Sequence, residues 1–163
     1  MENEFENREP EEFENEDKPE IPVCIRVTSM TRTHGRLKVG CFGWIIENPE
    51  GRIVFEGWGY TEPKKDMDIV KSNEKGAHSA IESVMQQTPF QFVNLTVKID
   101  NMDSVMSLKN GTWSAYNNAE SHLMKAAGEI CKEIRWRYLE PTRNEDCANL
   151  ATKAWAEWKE EYK

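Results

Sequence analysis

A chain of 163 residues, 38% of them hydrophobic, has room for one domain whose apolar core needs neither disulfides nor metal to hold it. Its uncharged apolar runs fall well short of the roughly 20 residues a membrane helix needs. Its first residues are acidic where a secretory signal would be basic and then apolar, so a soluble intracellular protein, cytoplasmic or nuclear, is expected. The net charge of −8 comes entirely from residues 1–20, which hold ten acids against Arg8 and Lys18; the remainder is formally neutral and lacks the strongly basic footprint of a typical nucleic-acid-binding domain.

Within the acidic segment, Glu4-Phe5-Glu6-Asn7 recurs as Glu12-Phe13-Glu14-Asn15. So acidic a stretch buries too little surface to fold, which predicts a disordered tail over 1–20 and a domain over 21–163. Phe5 and Phe13 are its candidate anchors on a partner protein.

From Pro22 the pattern changes. Val23, Ile25 and Val27 alternate with Cys24, Arg26 and Thr28; 39–46 is apolar with glycines; and 52–60 follows a turn at Asn48-Pro49-Glu50-Gly51, so an antiparallel meander is predicted. A helix comes next, with Ala77, Ala80, Ile81, Val84 and Met85 on one face, ending before Pro89. Gly76 is an anomaly within it, since glycine inside a helix costs about 1 kcal/mol against alanine. A strand over 95–100 and a short helix over 103–108 follow. Asn117-Asn118-Ala119-Glu120 then opens a helix with Leu123, Ala126, Ala127, Ile130 and Cys131 as its buried stripe. A strand over 134–139 leads through Pro141 to a last helix, opened by the capping-box pattern Thr142-Arg143-Asn144-Glu145 and lined by Cys147, Leu150, Ala151, Ala154, Trp155 and Trp158. The order βββαβααβα predicts a mixed α/β fold with helices flanking a mixed sheet. Cys24, Cys41, Cys131 and Cys147 are scattered without a C-x-x-C pair, and His34, His78 and His122 show no ligand spacing, so free thiols and no metal-binding cluster are expected.

Five local patterns in this order resemble ribonuclease H of the type found as free enzymes and in retroelement polymerases. Gly40-Cys41-Phe42-Gly43-Trp44-Ile45 resembles the family's second-strand signature, and Gly59-Tyr60-Thr61 the end of its third strand. Ile99-Asp100-Asn101 is similar to its strand-four Thr-Asp-Ser, and Ile134-Arg135-Trp136-Arg137-Tyr138-Leu139 to its fifth strand. The opening of its last helix resembles Asn144-Glu145-Asp146-Cys147-Ala148-Asn149-Leu150-Ala151. The resemblance implies a five-stranded mixed sheet, three strands antiparallel and then two parallel. It also implies hydrolysis by two Mg²⁺ ions about 4 Å apart, held by four converging carboxylates.

Those four positions fall here on Ser29, Gly76, Asp100 and Ala148, so Asp100 is the sole retained acid. The family's histidine loop before the last helix is replaced by Glu140-Pro141-Thr142-Arg143. Asp103 and Glu145 are the acids placed to join Asp100 in a rearranged site; a capping role for Asp100 on the helix near Asp103 is the structural alternative. The resemblance implies that Ser72 and Asn73 touch the minor groove of an RNA–DNA hybrid, while Arg32, Arg36, Lys38, Lys64 and Lys65 are candidate phosphate contacts. Six tryptophans are a high load, and Trp58, Trp113 and Trp158 are candidate exposed anchors for a partner. The expectation is a catalytically inactive module for protein interaction or scaffolding, with weak RNA or hybrid binding and no metal or other cofactor. The alternative is a Mg²⁺-dependent ribonuclease acting on RNA–DNA hybrids through a rearranged carboxylate site.

Overall fold

Three strands in succession, β1 (Ile21–His34), β2 (Leu37–Glu47) and β3 (Ile53–Tyr60), form the expected antiparallel meander in a computed structural model that describes residues 21–87, 93–110 and 131–162. Two tight turns make it possible. Gly35 takes φ 64° in the two-residue loop between β1 and β2, and Gly51 takes φ 83° after Asn48, a left-handed conformation that only glycine adopts without strain. The Asn48 side chain closes the second turn by accepting from the backbone N–H groups of Glu50 at 3.0 Å and Arg52 at 2.9 Å.

The chain continues through α1 (Ile69–Gln87), β4 (Val93–Ile99), α2 (Met102–Lys109), β5 (Cys131–Tyr138), a 3-10 turn (Pro141–Arg143) and α3 (Glu145–Glu161). The sheet order is β3-β2-β1-β4-β5, with β4 parallel to both neighbours. Cys131 belongs to β5, so that strand starts earlier than its alternation suggested, and Cys131 is not the last residue of a helical stripe. The acidic segment, Trp113 and the rest of the helix expected from Asn117 onward lie outside the described residues. No described helix is long and apolar enough to cross a membrane.

Alternation sorts the sheet's side chains onto two faces. Val23, Ile25, Val27, Leu95, Val97 and Ile99 pack under α1 and α2 against Ala77, Ala80, Ile81 and Val84, the stripe read from the sequence, with Met85 at its margin. On the opposite face α3 lies across β1, β2 and β3, where Cys147 and Leu150 meet Ile45, and Ala154 and Trp158 meet Val39 and Cys41. That helix comes very close to the sheet. A Cβ added at Gly43 would sit 2.6 Å from the Cys147 carbonyl oxygen and 2.7 Å from Leu150 Cβ, so only glycine fits there.

Candidate functional site

Parallel pairing of β1 with β4 in the register Val27 to Ile99 brings the next residues, Thr28 and Asp100, together at the strand ends. The Thr28 hydroxyl donates to Asp100 Oδ1 at 2.9 Å. Asn144, at the start of α3 and fully buried, donates from Nδ2 to Asp100 Oδ2 at 3.2 Å and to the Val27 carbonyl at 3.1 Å. Its Oδ1 accepts from Arg26 Nη1 at 3.2 Å. Both carboxylate oxygens of Asp100 are thus engaged by neutral donors from β1 and α3.

Thr28, not Ser29, meets Asp100, because Ser29 shares a face with Val27 and turns toward α1, where its Oγ is buried without a hydrogen-bond partner. At Gly76 an added Cβ would sit 2.9 Å from Val27 Cγ1 and 3.1 Å from Phe42 Cβ, so the missing side chain is what lets α1 approach the sheet. Ala148 is half-buried on α3 and its N–H bonds back to the Asn144 carbonyl at 3.0 Å. Asp100 does not cap α2. Asn101 does, its Oδ1 accepting from Ser104 N and Oγ at 2.8 Å each, while Asp103 is exposed in the first turn. Glu145 is exposed and lines an open cleft with Arg26, Lys98, Arg143 and Asp146. Among the described residues no three His, Cys, Asp or Glu side chains converge as metal ligands. A magnesium pair needs several carboxylate oxygens on one point, and a single aspartate with both oxygens hydrogen-bonded does not fit it.

A second cluster adjoins the first. Arg26, nine-tenths buried, meets Asp146 Oδ1 at 2.6 Å and Oδ2 at 3.0 Å, and Glu47 Oε2 at 3.1 Å. Its forked guanidinium therefore ties β1 to β2 and to the first turn of α3. The sequence carries a signal for it, a charge set among the branched residues of an inward-facing strand, although its face gave no partner. The capping box expected from Thr142 to Glu145 does not form. Pro141–Arg143 makes the 3-10 turn, and Asn144 holds the cap position without a capping bond because its side chain is committed to the core.

Hydrogen bonds from Arg26 hold the Asp146 carboxyl below the usual carboxylate range. A depressed folded-state pKa contributes stability that is present above the unfolded value, about 3.9, and is lost as pH falls through the folded value. The urea midpoint is therefore expected to fall between pH 6 and strongly acidic pH, and Asp146→Asn to remove part of that slope. An unchanged slope in the variant would show that the pair does not couple to folding.

The residues proposed for nucleic acid divide into two groups. Ser72 and Asn73 are fully buried: Ser72 packs on Gly40, and Asn73 donates to Ser104 Oγ at 3.0 Å, so neither is presented to a groove. Arg32, Arg36, Lys38, Lys64 and Lys65 are exposed. Lys38 and Lys64 are brought together by paired backbone hydrogen bonds of 2.9 Å, so the β1–β2 hairpin and the loop before α1 form one basic corner. Of the proposed partner anchors, Trp58 is half-buried with Lys153 Nζ 4.0 Å above its ring. Trp158 is 3% exposed and therefore a core residue, stacked on Trp155 at 5.3 Å. Sequence reasoning missed a different apolar surface, Ile53, Val54 and Phe55 on the edge strand β3, exposed by 39–48%. Their run of hydrophobic residues looks the same in sequence whether a helix covers it or not.

No family model matches the chain, and no curated protein matches it. Solved structures do. The chain is similar to the N-terminal RNase H domain of a Mycobacterium tuberculosis protein, with a TM-score of 0.63 and 12% identity over 86% of this chain and 99% of that one. RNase H1 from the halophilic archaeon Halobacterium salinarum gives 0.60 and 17% over 83% and 98%. An RNase H1 isolated from compost by a metagenomic approach, in complex with an RNA/DNA hybrid, gives 0.62 and 13% over 81% and 95%.

Proposed function

We propose that this chain, which has the ribonuclease H fold, is a catalytically inactive module of that architecture, serving protein interaction or scaffolding and binding nucleic acid weakly. The observation that carries the reading is the state of Asp100. In place of partner carboxylates it has a threonine hydroxyl and an asparagine amide, each donating to one oxygen. A metal ligand has become an acceptor in a neutral network that fastens α3 to β1.

Weak nucleic-acid affinity is supported by the basic corner at Lys38 and Lys64 and by the likeness of fold to a hybrid-bound structure. It is limited by the burial of Ser72 and Asn73. Protein interaction is supported by the exposed β3 edge, by Trp58, and by the phenylalanines of the acidic segment. On a labelled RNA–DNA hybrid with Mg²⁺, cleavage is expected not to exceed that without protein, and Asp100→Asn is expected to behave identically. Cutting that depends on Asp100 would overturn the reading in favour of a rearranged carboxylate site with Asp103 and Glu145. Fluorescence anisotropy is expected to show hybrid binding at low salt that weakens steeply as salt rises.

A further inference from the structure

The two flanks of α3 differ in charge. Lys153 Nζ lies 4.0 Å over the Trp58 ring and Glu161 accepts from the Tyr60 hydroxyl, so the flank carrying residues 153, 157 and 161 faces β3. At about 100° per residue, Lys159 lies about 40° round the axis from Trp155, whereas Glu157, Glu160 and Glu161 lie about 120–160° from it. Trp155 and Lys159 therefore face the other way, toward β1 across β2. Arg32 and His34 share that side. They pair with Val39 and Leu37 on the sheet face that α3 covers, and the His34 ring stands 4.8 Å from Trp158, edge-on. Pairing of β1 with β4 ends at Val27, so among the described residues no strand flanks Arg32 or His34 on the outer side.

The nearby acids leave this flank cationic. None occurs from residue 21 to 46 or from 147 to 156. Asp100 is held by Thr28 and Asn144, and Glu145 is ten residues from Trp155, about 15 Å along the helix. Glu62, Asp66 and Asp68 follow β3 in the loop that pairs with Lys38 on the β3 side of β2, and the last two meet Lys71 at 3.8 and 3.5 Å. Arg32, Arg36, Lys38 and Lys159 are exposed, and among the described residues none of them has a carboxylate within ion-pair distance. Trp155 is half-buried. One side of its ring stacks on Trp158, 5.3 Å away and 9° from parallel, and Lys159 Nζ stands 5.5 Å from its centre.

We propose that this flank binds a single-stranded nucleic acid, one base stacking on Trp155 and the adjoining phosphates meeting Lys159, Arg32 and Arg36. This rests on the weak nucleic-acid binding proposed above and gives it a ligand class and a surface. An aromatic ring among unpaired cations is the arrangement that takes an unpaired base and its backbone together, with little regard to sequence. Bases inside a duplex offer only their edges, and the residues expected to read a hybrid's minor groove, Ser72 and Asn73, are buried. Lys159 is a flexible side chain, so it swings from the ring to a phosphate as the base arrives. His34 against Trp158 holds the β1–β2 hairpin beside the stack, which keeps Arg32 and Arg36 at a fixed reach from Trp155.

Fluorescence anisotropy at low salt is expected to show the full chain binding a labelled thymidine oligonucleotide of about 12 residues roughly tenfold more tightly than the same oligonucleotide annealed to its RNA complement. Trp155→Leu is expected to weaken single-strand binding about tenfold and Trp155→Phe by less than about threefold, since phenylalanine keeps a face for the base. The exposed double variant Arg32→Gln/Arg36→Gln is expected to lower the slope of log affinity against log salt by about 1.4, two phosphates' worth on a single strand. Photocross-linking of the wild-type chain to an iodouracil oligonucleotide locates the stacked base whether or not a variant folds, and the main adduct is expected on Trp155. A main adduct on residues 62–68, or a hybrid bound as tightly as the single strand, would overturn the single-strand assignment while leaving hybrid binding in place. Binding to neither would overturn this surface and the weak binding on which it rests. Cleavage that depends on Asp100 is a separate readout and bears only on the inactive-module reading.

Discussion

Asn144→Ala is expected to lower the stability of the fold by about 3 kcal/mol, because one buried amide satisfies three groups on two elements and each acceptor or donor left unpaired in such a place costs roughly 1–3 kcal/mol. Its Nδ2 holds the Val27 carbonyl and Asp100 Oδ2, and its Oδ1 takes Arg26 Nη1. Alanine removes all three bonds and leaves a void at the junction of β1, β4 and α3. The losses do not add in full, since Arg26 keeps Asp146 and Asp100 keeps Thr28. Urea denaturation at neutral pH measures the effect. A change below about 1 kcal/mol would show that the network is ornamental and would weaken the view that Asp100 now serves structure.

Gly76→Val is expected to cost a similar amount, about 3 kcal/mol, with Gly76→Ala costing about 1. Two effects oppose each other in the alanine variant. Replacing glycine within a helix gains about 1 kcal/mol. Against this, the added Cβ meets Val27 Cγ1 at 2.9 Å and Phe42 Cβ at 3.1 Å, neither of them the far end of a flexible chain, and overpacking of this kind costs about 1–3 kcal/mol. Valine adds two more carbons at the same seam without a further gain in propensity. A stabilised Gly76→Ala protein would mean that α1 has slack against the sheet and that the glycine is not required by packing.

Periodicity made most of the architecture readable. Strands β1 and β4 carry alternation and helices α1 and α3 a one-sided stripe, because each buries one face on a common sheet, whereas β2 was read from an apolar run and β3 from the turn before it. The resemblance to ribonuclease H supplied the mixed pairing, three strands antiparallel and then two parallel, which alternation alone does not encode. The site was readable only as a set of absences. Nothing in the spacing showed that Asn144 leaves its capping role to reach Asp100, since a cap and a core amide are the same residue type at the same position. Thr28 and not Ser29 meets Asp100, and one residue in a strand is the difference between opposite faces. Trp158 was read both as helix stripe and as exposed anchor; the stripe is correct, because its i+4 spacing from Ala154 keeps it against Val39 and Cys41. Asn101 was overlooked as the α2 cap in favour of its neighbour Asp100, and helix ends are where sequence patterns discriminate least.

The close seating of α3 on Gly43 also sets an order of events during synthesis. The meander of β1, β2 and β3 is complete by Tyr60, yet the face carrying Val39, Cys41 and Ile45 has no cover until residues 145–161 have left the ribosome. For some eighty-five residues of elongation, several seconds at about 5–20 residues per second, the nascent chain displays a half-finished sheet with one greasy side. Closure then joins Gly43 to Cys147 across more than a hundred residues of sequence, a long-range step that cannot be hurried by local propensity. Cover for the α3 face of the meander therefore waits on the last helix of the chain, long after β1, β2 and β3 have been made.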